Sequence, residues 1–230
     1  MIELVFVRHA QPDWEPDGKA VDDPGLTPLG RQQAERVAQA LAPEGVDALY
    51  TSTMRRALET TEPIASELGL EARGESWIRE LGLPSLEGTP TEEVAEFFAR
   101  SRARDLQDWW RESIEGGESF RHFHERVTGG IEALLLGSCE ARLHLDGAHR
   151  LWQLPGRFRR LVIVAHGGSI AVAASHLLGL EPVPWSHERL RLGWAGIVRL
   201  RTLPIASAAI WSMVAFNRRE HLGGLPDPEG

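Results

Sequence analysis

Two histidines stand at the ends of aliphatic runs, His9 after IELVFVR and His166 after LVIVA. A neutral imidazole nitrogen is nucleophilic near pH 7. Each histidine is flanked by groups that suit an anion: Arg8 directly before His9, and Gly167 and Gly168 directly after His166. A second short apolar run is followed by Arg55 and Arg56. Guanidinium forks match phosphate oxygens, and glycines where a strand turns into a helix let backbone N–H groups approach an anion closely. Two histidines, Arg8, one arginine of the Arg55-Arg56 pair and a helix N-terminus would together surround one phosphate.

Those residues need elements that bring them to one place. Ile2 to Val7 has the β-branched, apolar character of a strand buried on both faces of a parallel sheet, and such sheets hold ligands outside the carboxyl ends of their strands. In LTPLGRQQAERVAQALAPEG, Thr27 is the expected N-cap and Pro28 the first helical residue, with Ala34, Val37, Ala38 and Leu41 on one face and Gly45 at the end. Val46 to Tyr50 is a second expected strand, and TSTMRRALETTEPIASELGL a second capped helix ended by Gly69. LVIVAHGG at 161–168 returns the chain to the sheet before the helix SIAVAASHLLGL, and AGIVRLRTL and IWSMVAFN form two late strands. Between them, EEVAEFFARSRARDLQDWWRESI and SFRHFHERVTGGIEALL are helical stretches, the second capped by Ser119. The expectation is one three-layer α/β/α domain over residues 1–230, with a mostly parallel sheet and a helical cap insertion at about 84–160 that would set specificity.

Composition narrows the partners. The net charge of −8 is dispersed and no Lys/Arg-rich run appears, so neither nucleic acid nor a membrane surface is expected. Cys139 is the single cysteine, which precludes an intrachain disulfide and leaves little basis for a metal site. MIELVFVRHA lacks a signal peptide's basic start, and no segment approaches the ~20 apolar residues of a membrane helix. A soluble, cytoplasmic protein with no metal or other cofactor is expected, and a strand edge near the C-terminus leaves a homodimer open.

FVRHAQPDW, LTPLGRQQA, TSTMRRALETT, ELGLPSLEG, GGES, VIVAHGGSI and FNRREHL occur in the order found in the histidine phosphatase superfamily, which includes the cofactor-dependent phosphoglycerate mutases, and the chain resembles that family over most of its length. The resemblance implies that His9 is the histidine that becomes phosphorylated. It also implies that Arg8 and Arg56 bind phosphate, that His166 is the second histidine of the phosphate pocket, and that Glu80 is the proton donor. The substrate implied is a small phosphorylated molecule. Gln11, Glu15 and Thr27 are candidate substrate contacts, Thr27 being first a helix cap, and Gly167 is a candidate phosphate contact.

Departures from the family pattern matter. Ala10 stands where the signature has glycine, and Glu15, after Trp14, where mutase-like members have asparagine. Near a phosphate that carboxylate would repel, so Glu15 is expected either to point away or to meet a cationic part of the substrate. Glu80-Leu81-Gly82-Leu83-Pro84 replaces the mutases' Glu-Arg-His-Tyr-Gly, which favours a phosphatase over a mutase-like phosphotransferase. A non-catalytic phosphoryl-ligand binder on the same scaffold is the rival from another class. Elsewhere, one residue of each pair Phe97-Phe98 and Trp109-Trp110 is expected in the core and the other at the cleft. His144, Asp146 and His149 are expected in a solvated loop, His122 and His124 at surface or cap positions, and His221 anchoring the C-terminal segment near the site.

Overall fold

The run Ile2–Arg8 is buried at six of its seven positions, and a strand so apolar needs cover on both faces. The structure, a computed structural model, describes residues 1–113, 116–147 and 149–226 and shows how that cover is built. In chain order the elements are β1 (Ile2–Arg8), α1 (Pro28–Leu41), β2 (Ala48–Ser52), α2 (Arg55–Leu68), β3 (Ala72–Glu75), α3 (Thr91–Arg102), α4 (Leu106–Arg111), α5 (Phe120–Ser138), β4 (Arg142–Asp146), β5 (His149–Gln153), β6 (Arg159–Ala165), α6 (Gly167–Leu177), α7 (Ser186–Arg189), β7 (Ile197–Ile205) and β8 (Ala208–Arg218).

Alternation along the strands assigns the two faces. Leu4 and Phe6 of β1 and Leu161 and Ile163 of β6 pack with Phe123, Val127 and Ile131 of α5 and Ile170 of α6. Val5, Val7, Val162 and Val164 point the other way, to Val37 and Leu41 of α1 and Ala57 and Ile64 of α2. This is the expected three-layer α/β/α arrangement. Thr27 caps α1 by accepting a 2.9 Å bond from the Gly30 amide, and Ser119 caps α5 by accepting from the His122 amide. The second helix begins later than the sequence suggested, at Arg55 after Met54, which gives no side-chain cap.

The sheet has eight strands in the order β3-β2-β6-β1-β7-β8-β5-β4. It is mixed: β3, β2, β6 and β1 run parallel to one another, whereas β7, β8, β5 and β4 are joined by antiparallel pairings. The parallel character expected of most of the sheet is confined to the half that carries both histidines. Residues 84–160, expected as a helical cap insertion, also contribute to the main layers and to the sheet. Helix α5 lies in a main layer, because Phe123, Val127, Ile131 and Leu135 are fully covered by the sheet. The β4–β5 hairpin extends the sheet edge, so His144, Asp146 and His149 sit exposed on strands and not in a loop. The helical stretch expected to run to 114 divides into α3 and α4, and its last residue, Ile114, lies outside the described residues. No helix among the described residues is long and apolar enough to cross a membrane.

Candidate active site

Strands β1 and β6 are hydrogen-bonded neighbours in a register that sets Arg8 opposite Ala165, so the next residue of each chain, His9 and His166, emerges at the same sheet edge. Their ring centroids are 5.1 Å apart. Both histidines are buried. The His9 Nδ1 lies 2.8 Å from the Ala10 carbonyl, a partner that can only accept, so the proton resides on Nδ1 and Nε2 keeps its lone pair. Arg56 Nε donates to that Nε2 at 3.3 Å. Burial, reinforced by Arg56 and Arg8, holds the His9 pKa well below its ordinary value, and the imidazole is neutral at pH 7. His166 is held down by burial and then by His9, Arg56 and Arg8, and its Nε2 lies 2.8 Å from Ser52 Oγ.

The arginines resolve the choice left open by the sequence. Arg55 is exposed and paired with Glu59, whereas Arg56 is buried at the centre of the site. Its guanidinium stacks over Trp14 at 4.6 Å, and Asp23 lies 3.6 Å from Nη1. Arg8 donates to the Leu192 carbonyl and faces the Trp194 ring at 5.8 Å. Burial lowers the Arg8 pKa to about 10, which leaves it charged at neutral pH. Arg8 Nε, Arg56 Nη1 and His166 Nδ1 are buried without a hydrogen-bond partner among the described residues. A buried donor left unpaired costs about 1–3 kcal/mol, so a buried guanidinium N–H left unmatched here calls for an acceptor.

Glu80 belongs to the same cluster. One carboxylate oxygen accepts from the Gly168 amide at 2.9 Å and the other from its neighbour Leu81 at 2.9 Å. The first turn of α6, expected to face the anion, is therefore engaged at Gly168 by this carboxylate. Gly167 is half-buried beside the Arg8 guanidinium.

Gln11 and Thr27 are tied together, the Thr27 hydroxyl donating to Gln11 Oε1 at 2.7 Å beside the loop that follows His9. Glu15 is exposed and makes no side-chain hydrogen bond or ion pair among the described residues. His221 lies 3.1 Å from the Ala195 carbonyl, and Ala195 donates in turn to the His9 carbonyl, which ties the C-terminal segment to the site. Trp110 packs on Phe120 at the core, while Phe98 and Trp109 line a cavity of about 200 Å³ with Leu81 and Leu83, which follow Glu80 in the chain. His122 is exposed and His124 half-buried against Trp110. No group of three metal-ligating side chains occurs among the described residues.

Sequence reasoning missed Ser52 and Trp14 as site residues. Ser52 ends β2 beside β6, and only the strand order reveals that it faces His166.

The family model described as "Histidine phosphatase superfamily (branch 1)" matches residues 4–204. Phosphoserine phosphatase 1 of Hydrogenobacter thermophilus is 34% identical over 134 residues, 57% of this chain and 64% of that protein, so the chain spans slightly under two thirds of this relative. A probable phosphoglycerate mutase of Yersinia enterocolitica is 30% identical over 194 residues, 84% of this chain and 81% of the relative. Among solved structures, mycobacterial glucosyl-3-phosphoglycerate phosphatase in complex with VO3 is similar at a TM-score of 0.73 and 25% identity, over 94% of this chain and 99% of that one.

Proposed function

The chain belongs to the histidine phosphatase superfamily, branch 1, and on that footing we propose that it hydrolyses a small phosphomonoester through a phosphohistidine on His9 without a metal. The observation that carries this reading is the setting of His9: its Nδ1 directed at the Ala10 carbonyl, its Nε2 met by Arg56 Nε, and its ring 5.1 Å from that of His166. In the first step Nε2 attacks phosphorus, the P–O bond to the leaving group breaks, and Glu80 protonates the leaving oxygen. In the second, Glu80 takes a proton from water, whose oxygen attacks phosphorus, and the P–N bond returns its electrons to Nε2. Arg8, Arg56 and protonated His166 would balance charge on the equatorial oxygens, because a bound phosphate dianion favours the imidazolium that burial and the neighbouring arginines disfavour.

Hydrolysis is supported over phosphate return by the Glu80-Leu81-Gly82-Leu83-Pro84 sequence and by the phosphatases among the relatives. The similarity to a probable phosphoglycerate mutase supports the second reading, in which phosphate is handed back to product. Turnover of 4-nitrophenyl phosphate in excess chelator is expected to release phosphate, and His9→Ala to abolish it. Activity surviving in the variant would overturn the assignment of the nucleophile, and loss of wild-type activity to the chelator would overturn the metal-free reading. Interconversion of phosphoglycerates without net phosphate release would favour the mutase.

A further inference from the structure

The segment that carries Glu80 has little regular structure of its own. A single turn of 3-10 helix ends at Ile78, and an irregular loop follows from Arg79 as far as residue 86. A general acid must be held close to the oxygen it protonates, and a free loop holds nothing to that tolerance. The restraint comes from one side chain on α5. Arg126 sits two turns into that helix and reaches across to the segment's backbone. Its Nη1 donates to the carbonyls of Trp77 at 2.8 Å and Arg79 at 3.2 Å, and its Nη2 to that of Glu80 at 3.4 Å.

The other side of the same guanidinium meets Glu118, with Nε donating at 2.9 Å and Nη2 at 2.6 Å to its two carboxylate oxygens. Glu118 in turn grips the segment beyond Glu80: its carboxylate accepts from the Gly82 amide at 3.2 Å and its own amide donates to the Gly82 carbonyl at 2.7 Å. The backbone is thus fastened at residues 77, 79, 80 and 82, on both sides of the residue whose carboxyl rests on Gly168. Only a planar fork supplies donors in so many directions from one atom cluster.

We propose that Arg126 and Glu118 are positioning residues that hold Glu80 where it can protonate the leaving group. This rests on the reading of Glu80 as the proton donor. Neither residue hydrogen-bonds Arg8, His9, Arg56 or His166; Arg126 acts through the backbone of the loop, and Glu118, which also lines the cavity with Leu81 and Leu83, does so through Gly82. The effect should therefore depend on how much the leaving group needs a proton. Phenyl phosphate has a basic leaving oxygen, 4-nitrophenyl phosphate a much weaker one, and the two are alike in shape.

The test compares kcat/KM for both esters in the wild type, Arg126→Gln, Arg126→Lys, Glu118→Gln and Glu80→Gln. Arg126→Gln and Arg126→Lys are each expected to lose about a hundredfold on phenyl phosphate, the scale of general-acid assistance, and about threefold or less on 4-nitrophenyl phosphate. Glu118→Gln should show the same pattern more weakly. Lysine keeps the charge and loses the fork, so near wild-type behaviour in Arg126→Lys would overturn the clamp in favour of simple electrostatics. Equal losses on both esters would mean that the pair serves folding alone, and would also overturn it. Glu80→Gln separates the two levels. If it shows no leaving-group dependence, the proton-donor reading fails; if it does and the Arg126 and Glu118 variants do not, the clamp alone fails.

Discussion

Arg56 combines duties that a guanidinium can hold together and an ammonium cannot. Its flat face lies over Trp14, its Nε edge meets His9, and its Nη1 faces Asp23 without a hydrogen bond. Arg56→Lys keeps the charge but loses the stacked plane and the fixed fork, and should lower kcat/KM by about a hundredfold, the cost of one missing transition-state donor. Steady-state kinetics on 4-nitrophenyl phosphate checks this, and a loss under about fivefold would assign Arg56 a merely coulombic role. Arg8 differs: its Nη1 is already spent on the Leu192 carbonyl, which leaves Nε as the buried donor still unmatched.

At the scale of elements, the close fit of α5 against the segment before Glu80 gives a second handle on the site. Gly130 lies beneath the Trp77 indole, and a β-carbon there would overlap the ring. Gly130→Ala should therefore push Trp77 outward and destabilise the fold by about 1–3 kcal/mol, despite alanine's better helix propensity. Denaturant melts would show the midpoint falling; an unchanged or raised midpoint would mean the ring moves freely. How much of this was legible in the sequence varied with the element. Helix α1 was readable because Thr27, Pro28 and the apolar stripe Ala34, Val37, Ala38 and Leu41 all say the same thing locally. β3 went unseen because Ala-Arg-Gly-Glu at a sheet edge has no buried alternation. The hairpin β4–β5 is mostly exposed, so its polar residues resembled a loop. Helix α5 was expected in a cap because its neighbours in sequence, α3 and α4, lie outside the main layers, whereas its own stripe of Phe123, Val127 and Ile131 belongs to one. His9, Arg56 and His166 were legible as candidates, since strand ends advertise themselves. The seating of Glu80 on Gly168 was not, because it joins residues 88 positions apart through a loop with no periodicity.

For the molecule as a whole, the buried neutral histidines make stability depend on pH. The pKa values of His9 and His166 are lowered in the folded state, so unfolding takes up a proton at each once the pH falls below the unfolded value of about 6.5. Their contribution to stability is fully present above that pH and shrinks as acid is added, by about 1 kcal/mol per histidine between pH 6.5 and 5.5. Glu3 and Glu59, whose pKa values are also lowered, add their own losses only nearer pH 4. Melts at pH 7.5, 6.5 and 5.5 should show the decline, and His166→Asn should flatten it by about one proton's worth. A wild-type midpoint constant across that range would contradict the neutral, buried state of the pair. The register between β1 and β6 carries a further consequence, one of time. His9 and His166 face each other only through that pairing, yet 157 positions separate them (166 − 9). At ribosomal speeds of about 5–20 residues per second, roughly ten to thirty seconds pass between the making of one and the other. Throughout that interval the growing chain bears His9 without the partner that completes its pocket, so on the proposed reading a truncated or half-made copy should be chemically silent, and the appearance of activity should double as a report that the central strands have found each other.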